Sequence, residues 1–241
     1  AYEAYLKNNG VSPNSSSFYM RNLRAVYNRA VEKGLTSQRF PFKHVYTGVE
    51  KTVKRAVSLK VIKRIKEMDF SMNPTFDFAR DMFLISFYTR GMSFVDMAYL
   101  RKKDLQNGVL SYRRRKTGQQ LFIKWEKCMQ EIVDKYDTSQ SNYLLPIIKP
   151  FNDIEERKQY IYAAHNINRC LKIIGKELGL SVSLTLYVAR HAWASIAKSK
   201  NVPLSVISEG MGHDSEATTR IYLASLDTVA IDKANSMILK S

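Results

Sequence analysis

Residues that can act on a phosphodiester lie close together near the C-terminus. They are Arg190 with His191 beside it, the pair Gly212-His213, and Tyr222. An arginine can neutralise phosphate charge, a histidine can donate a hydrogen bond, and a tyrosine hydroxyl can form a covalent intermediate. Taken alone, Tyr222 is one of 14 tyrosines and would be assigned to a core. Taken together, and with a lysine upstream, the set predicts phosphodiester chemistry.

The upstream lysine lies on a predicted β-hairpin. Residues 109–125 change to a strand period, with Lys116 at the tip and Gly118 in the turn. The earlier Asn107-Gly108 pair marks a second turn, so a small antiparallel sheet is expected. A lysine at a hairpin tip can reach into a groove and touch a phosphate or a base. Its position alone fits a solvated turn lysine equally well, and the arginine, histidine and tyrosine set favours the first interpretation.

Composition indicates a polyanionic partner. The 241 residues carry a formal net charge of +16 and are 45% apolar, so a basic surface surrounds a real core. The simplest partner is nucleic acid, here double-stranded DNA. The sequence has no run of 18 apolar residues and no signal peptide, so no membrane association is expected. Cys128 and Cys170 are far apart and expected to be reduced, which indicates a cytoplasmic protein. No cluster has metal-ligand spacing, and neither a metal nor another cofactor is expected.

The chain is predicted to divide near residue 50. Residues 1–45 hold one strong helix, with caps offered by residues 15–17, an apolar stripe that includes Met20 and Leu23, and Gly34 as its stop. Arginines off that stripe fit either a solvated face or phosphate contacts. Residues 46–57 are predicted to be a basic extended linker.

The remainder is predicted to be mainly helical. Ser58 caps one helix, and Asn73 with the following proline starts a second, which is apolar throughout and therefore central and buried. Further helices are predicted at 94–100, 126–137, 154–178 and 184–198, in a stretch ending near Tyr222, and at 227–239, and residues 206–211 precede the Gly-His pair. The predicted fold is therefore mainly α with a small antiparallel β-sheet.

At these motifs the chain resembles a tyrosine recombinase of the phage integrase family. The family motif has an Arg followed by a His, then a Gly-His pair, then a nucleophilic Tyr nine residues after that histidine, as Arg190, His213 and Tyr222 stand here. Its hairpin lysine, in a Lys-Thr-Gly turn, matches Lys116. Residues 58–241 resemble the catalytic domain. Residues 1–45 resemble the end of the helical core-binding domain, which we expect to be truncated at its start.

Two positions depart from the family pattern. The first family arginine stands two residues after a glycine, with an acid three residues later; here Ser93 holds the arginine position and Asp96 the acid position. Arg90 stands just before the glycine and fits either the same phosphate site or a salt bridge at a helix end. The residue three before the second arginine is usually His or Lys, and here it is Tyr187. His191 fits either a supporting partner of Arg190 or a structural histidine.

The resemblance implies site-specific DNA recombination through a 3′-phosphotyrosine on Tyr222, which integrates or excises a mobile element. Arg190, His213 and Arg90 would hold the phosphate oxygens, and Lys116 would be the general acid. It also implies a homo-tetramer on DNA, joined through the C-terminal helix. The alternatives are a type IB topoisomerase and a DNA-binding protein of the same fold that has lost catalysis. Residues expected to contact DNA are Arg21, Arg24, Lys51, Lys54, Arg55 and Arg114.

Overall fold

The computed structural model describes residues 2–50, 55–150 and 153–223. Contacts along the chain divide it into two units, Ala1–Val53 and Lys54–Ser241. The described part of each unit is mainly helical, and the second unit also holds a small antiparallel sheet. The predicted fold class is therefore confirmed. Within the described ranges, no helix is long and apolar enough to cross a membrane.

The first unit contains two helices, α1 at Tyr2–Asn8 and α2 at Pro13–Glu32. Ser12 is the N-cap of α2, and its side chain accepts a hydrogen bond from a backbone N–H of the first turn. The prediction that residues 15–17 provide the cap is wrong, because the helix already begins at the proline, whose fixed φ suits the first turn. The prediction of one helix also missed α1.

Only part of the predicted apolar stripe of α2 is buried. Met20 is buried, whereas Leu23 is 44% exposed. The hydroxyl of Tyr27 donates to the carbonyl of Ser37 at 3.0 Å, which ties the following loop to the helix. Gly34 has a φ of +68°, the left-handed conformation that ends helices, as predicted.

The first part of the predicted linker, 46–57, is hydrogen-bonded to α2. The side chain of Asn14 donates to the carbonyl of Glu50 at 3.1 Å and accepts from its N–H at 2.8 Å. The hydroxyl of Ser17 donates to the carbonyl of Gly48 at 2.5 Å. Because of these bonds, the segment up to residue 50 is part of the first unit.

The helices of the second unit follow the predicted order, and the caps at Ser58 and Asn73 are found as predicted. Helix α6 is shorter than predicted. The described helices are α3 at Leu59–Glu67, α4 at Pro74–Tyr88, α5 at Phe94–Ala98, α6 at Lys127–Val133, α7 at Glu156–Glu177, α8 at Leu186–Ser199, α9 at Leu204–Gly210 and α10 at Glu216–Tyr222.

Helix α4 forms the centre of this unit, since it packs against both α7 and α8. Its apolar side chains point in several directions and are buried on all of them, as the apolar sequence predicts. Fully buried members are Ala79, Met82, Phe83 and Ile85. A separate small cluster under α8, α9 and α10 is formed by Ala194, Ala197, Ile207, Met211 and Leu223.

The sheet has three antiparallel strands in the order β1, Leu105–Gln106, β2, Val109–Arg113, and β3, Gln120–Lys124. Alternate residues of β2 and β3 are buried, and Leu110 pairs with Ile123 on that face. The other face is exposed. The β2–β3 turn therefore projects from a strand pair that is anchored on the core, which fixes where its basic residues lie.

Candidate active site

Arg190 joins three separate segments of the second unit. It lies on α8 and is 5% exposed. Its Nη1 donates to the carbonyl of Gly91 at 2.6 Å, and its Nη2 donates to the carbonyl of Met211 at 2.7 Å. The same Nη2 lies 2.7 Å from Nε2 of His213. The predicted arginine and histidine are thus in direct contact, although 23 positions separate them.

His213 is enclosed by this arginine on one side and by helix α10 on the other. Its Nδ1 lies 2.7 Å from the hydroxyl oxygen of Thr219, which is fully buried. Burial lowers the pKa of His213 to about 3, and the positive charges of Arg190, Arg114 and Lys116 contribute in the same direction. The imidazole is therefore neutral at physiological pH.

Gly212 allows the hairpin to approach the Gly-His turn closely. Its φ is +64°, and a Cβ there would lie 2.9 Å from a methyl carbon of Leu121 and 3.2 Å from Cδ of Arg114. The Nη1 of Arg114 donates to the carbonyl of Gly212. A side chain at this position would push the hairpin away from His213.

Arg114 is placed differently from the surface position that a DNA contact was predicted to have. It is 5% exposed, because the β2–β3 turn folds it inward beside the Gly-His pair. Its Nε is buried and has no hydrogen-bond partner among the described residues. Arg114 therefore adds a second buried guanidinium beside His213. Sequence reasoning missed this inward position, although the alternation that buries Leu110 and Tyr112 on β2 continues to Arg114.

Gly91 is required where the chain passes the backbone of α8. Its φ is +74°, and a Cβ there would lie 2.6 Å from Cα of Arg190. The preceding Arg90 also has a positive φ, of 62°, which is uncommon for a residue with a side chain. The stem of Arg90 runs beside α9, with Cδ 3.6 Å from the position of a Cβ on Gly210.

Arg90 is half-buried. It makes no hydrogen bond or ion pair with any residue in the part of the chain that the structure describes. The salt bridge considered for this residue is therefore not found there. Its positive charge opposes the rise that burial causes in the pKa of Tyr112, as do the charges of Arg190 and Arg114.

Ser93, in the position where the family has an arginine, has a supporting role. It is the N-cap of α5, and its hydroxyl donates to a carboxylate oxygen of Asp96 at 2.6 Å. The other carboxylate oxygen of Asp96 accepts the backbone N–H of Arg115 at 2.9 Å. This chain of bonds holds the β2–β3 turn next to the start of α5.

Lys116 is exposed in that turn. The turn is closed by the N–H of Gly118, which donates to the carbonyl of Arg114 at 2.7 Å, and Gly118 has a φ of +73°. Across the described ranges, Lys116 has no hydrogen bond or ion pair. Its ammonium group therefore points outward next to the buried arginines, and its charge is felt at His213.

Tyr187 and His191 lie one turn apart on α8, next to Arg190. Their rings meet edge to face, with centroids 4.8 Å apart. Tyr187 is 49% exposed, whereas His191 is buried. Tyr187 thus lies half-exposed on α8, with its ring packed on a buried histidine.

Tyr222 is the last residue of α10, so a helix ends at this tyrosine as the sequence predicts, and the N-cap of that helix is Ser215. Thr219 stands one turn before Tyr222 on the same helix. Its bond to His213 places the end of α10 beside the Gly-His turn. Sequence reasoning did not single out Thr219, although its spacing of three from the tyrosine puts both on neighbouring turns of one face.

The residues predicted to contact DNA from elsewhere are only partly described. Arg21 and Arg24 are exposed on α2, and Arg24 donates to the hydroxyl of Thr47 at 3.1 Å. Arg55 is exposed at the start of the second unit. Two predicted contacts, Lys51 and Lys54, lie outside the described residues, as does the predicted C-terminal helix at 227–239.

Comparison with known families gives two matches along the chain. The model described as "Phage integrase family" matches residues 56–228. The model described as "Phage integrase SAM-like domain" matches residues 1–47. The comparison with curated proteins finds no match.

Solved structures with a similar fold include DNA-bound integrases. A lambda integrase dimer bound to a COC′ core site has a TM-score of 0.67 and 15% identity, covering 91% of this chain and 61% of that one. A lambda integrase tetramer bound to a Holliday junction has 0.66 and 15%, covering 92% and 62%. The Tn1549 transposon integrase in complex with transposon right end DNA has 0.65 and 15%, covering 99% and 82%. This chain therefore spans less than two thirds of the lambda integrase chains, and the likeness establishes the shared fold.

Proposed function

The chain belongs to the phage integrase family of tyrosine recombinases, and we propose that it cleaves and rejoins DNA through a 3′-phosphotyrosine at Tyr222, integrating or excising a mobile element. The observation that carries the proposal is the direct contact of Arg190 with His213, whose ring is bonded in turn to the helix that ends at Tyr222. Phosphoryl transfer needs a nucleophile placed in line and positive charge around the phosphate oxygens.

The proposed reaction proceeds in two symmetrical steps. The Tyr222 oxygen attacks the phosphorus, and the bond from phosphorus to the 5′-oxygen breaks. Lys116 gives a proton to the leaving 5′-oxygen, and the phenolic proton is lost to solvent. A 5′-hydroxyl of a partner strand then attacks the phosphotyrosine and releases Tyr222. Since each step exchanges one phosphoester for another, no ATP is needed.

Three arginines would neutralise the phosphate in this site. Arg190 takes the role of the second family arginine. Arg114 and Arg90 are the candidates for the charge that Ser93 does not supply, because Arg114 is bonded to the Gly-His turn and the charges of both act on Tyr112. Arg114 is buried beside His213, and Arg90 is half-buried with no ion-pair partner in the described ranges. The proposal therefore does not require an arginine at Ser93.

DNA binding would extend over both units. The net charge of +16 favours a polyanion. Arg21 and Arg24 on α2 and Arg55 at the start of the second unit are exposed and would contact phosphates, and Lys51 and Lys54 would continue this basic track. Strand exchange joins two DNA sites with two cleavages each, so four protomers are expected, joined through residues 227–239.

A suicide substrate tests the proposal, because a nick near the cleavage point lets the short 5′-hydroxyl fragment diffuse away and traps the covalent complex. Wild-type protein should form an adduct that survives denaturation. Tyr222→Phe should bind the same DNA nearly as well and form no adduct, since only the hydroxyl is lost. Tyr162→Phe is the matched control, because Tyr162 is an exposed tyrosine on α7, and it should react like wild type.

Two outcomes would replace the proposal with one of its alternatives. Absence of any adduct with wild-type protein on a cognate site would indicate a DNA-binding protein without catalysis. Adduct formation followed only by resealing of the same strand, with no exchange between two sites, would indicate a topoisomerase. An undiminished adduct from Tyr222→Phe would show that another residue is the nucleophile.

A further inference from the structure

The hydrogen-bond partners of His213 determine which ring nitrogen carries its proton. A guanidinium group has donors only, so Nε2 must accept the bond from Arg190 at 2.7 Å. A neutral imidazole with an unprotonated Nε2 carries its hydrogen at Nδ1. That N–H therefore donates to the hydroxyl oxygen of Thr219, also at 2.7 Å. The ring is held from both sides in a single tautomer.

Thr219 is placed to transmit this restraint to the nucleophile's helix. It is fully buried, so water does not compete for its hydroxyl. It lies on α10 one turn before Tyr222, and α10 has only seven residues, Glu216–Tyr222. Helices this short are marginal by themselves and depend on tertiary contacts for their position. The bond from Thr219 to His213 is the described polar contact that links the middle of α10 to the Gly-His turn.

We propose that Thr219 is a positioning residue of the recombination site, which accepts the Nδ1–H of His213 and fixes the end of α10 against that ring. The proposal rests on the recombinase function proposed above. Thr219 does not touch DNA in this scheme; it acts through His213 and through the orientation of its own helix. Outer partners that orient a functional histidine commonly change activity by about 10- to 100-fold when they are removed.

The adjacent threonine offers a matched control. Thr218 is half-buried, and its hydroxyl lies 3.3 Å from that of Ser215, the N-cap. Thr218→Val thus removes a hydroxyl from the same short helix without touching His213. Thr219→Val keeps the volume and removes the hydroxyl, and Thr219→Ser restores the hydroxyl.

The first measurement is the nitrogen-15 spectrum of the histidine rings in free protein near neutral pH. The chain has only 4 histidines, so His213→Gln identifies the signal of His213 by its loss. Wild type, Thr219→Ser and Thr218→Val should show His213 protonated at Nδ1 and bare at Nε2. In Thr219→Val the tautomer set by Arg190 should remain, whereas the Nδ1–H proton should lose its acceptor, with an upfield proton shift and faster exchange with solvent. A threonine that only filled space would leave the Nδ1–H signal and its exchange rate unchanged.

The second measurement is the rate of adduct formation on the suicide substrate. Thr219→Val should be about 10-fold slower or more, with DNA affinity and thermal unfolding close to wild type, while Thr219→Ser and Thr218→Val should stay within about two-fold. Thr219→Val with both the wild-type Nδ1–H signal and the wild-type rate would overturn the proposal, as would a wild-type ring protonated at Nε2. If wild type forms no adduct at all, the proposed function fails, and the Nδ1–H signal still decides the role of Thr219. If Thr219→Val does not fold, Thr219→Ala removes the same hydroxyl, and the same two measurements decide.

Discussion

At the scale of residues, Arg190 is held in place before any DNA is bound. Its guanidinium donates to the main-chain carbonyls of Gly91 and Met211 as well as to His213. A fork fixed by two carbonyls loses little freedom when a phosphate arrives, and such preorganised donors are effective in stabilising transition states. Lysine at this position would keep the charge but not the fork. The proposed phosphate site therefore depends on geometry as much as on charge.

The neutral state of His213 makes the stability of the fold depend on pH. Its pKa is about 3 in the folded protein and about 6.5 in the unfolded chain. Between these values the unfolded state binds a proton that the folded state does not, so the free energy of unfolding falls as the pH falls below 6.5. The slope is at most about 1.4 kcal/mol per pH unit, and this group contributes no slope at higher pH.

Urea unfolding of the full chain at several pH values measures this slope. The matched variant is His213→Gln, which cannot titrate and should show a smaller loss of stability on acidification. Other groups also titrate in this range, so the difference between the two proteins is the relevant quantity. Equal slopes for wild type and variant would mean that His213 is not the source.

At the scale of elements, the sequence predicts what local chemistry decides. Ser58 and Asn73 were recognisable as caps because a cap bonds within its own first turn, and the β2–β3 turn because Gly118 permits a positive φ. The cap of α2 was predicted too far along the chain, since serines occur on both sides of its first turn. The proline at 13 determines the start, because its fixed φ suits the first helical position.

Contacts between segments that are far apart in the sequence could not be predicted from it. The bond of Arg114 to Gly212 spans 98 positions, and the strand period, which places Arg114 on the buried face with Tyr112, does not tell which distant segment it meets. The Arg-His-Tyr set could be proposed from the sequence because its members stand in the order and at the spacing of the family motif. The partners that orient it, Thr219 and the Ser93–Asp96 pair, depend on packing. The candidate reactive residues of a site can thus be named from the sequence more readily than the residues that orient them.

At the scale of the whole molecule, the proposed activity requires several protomers. One tyrosine cleaves one strand, and recombination of two duplexes needs four cleavages. The predicted helix at 227–239 lies outside the described residues, and its apolar positions would form an exposed patch on an isolated protomer. The apolar positions of this predicted helix are Val229, Ile231, Ala234 and Ile238. Docking of this segment on a neighbour would cover that patch.

Deletion of residues 227–241 tests this role. We expect the shortened protein to bind a single half-site nearly as well as the full chain, because the basic residues proposed to contact DNA precede the deletion. Assembly of four protomers on two sites, and recombination, should be lost. Gel-shift titration measures the first, and mass photometry with a strand-exchange assay measures the second. Recombination at the full-length rate would show that the tail is not an assembly element.

If Arg90 binds phosphate as proposed, its backbone conformation lowers the stability of the fold at a position that serves cleavage. Its φ of 62° is a left-handed conformation that costs a residue with a side chain about 1 kcal/mol relative to glycine. We expect Arg90→Gly and Arg90→Ala to lose the same guanidinium and the same cleavage, about 10²-fold. They should differ in stability, with the glycine variant about 1 kcal/mol more stable by thermal unfolding. Equal stability would show that the backbone relaxes, and cleavage near the wild-type rate in both would show that this arginine serves only the fold. Glycine would adopt this left-handed conformation with less strain. Keeping an arginine there is the result expected of selection for activity over stability.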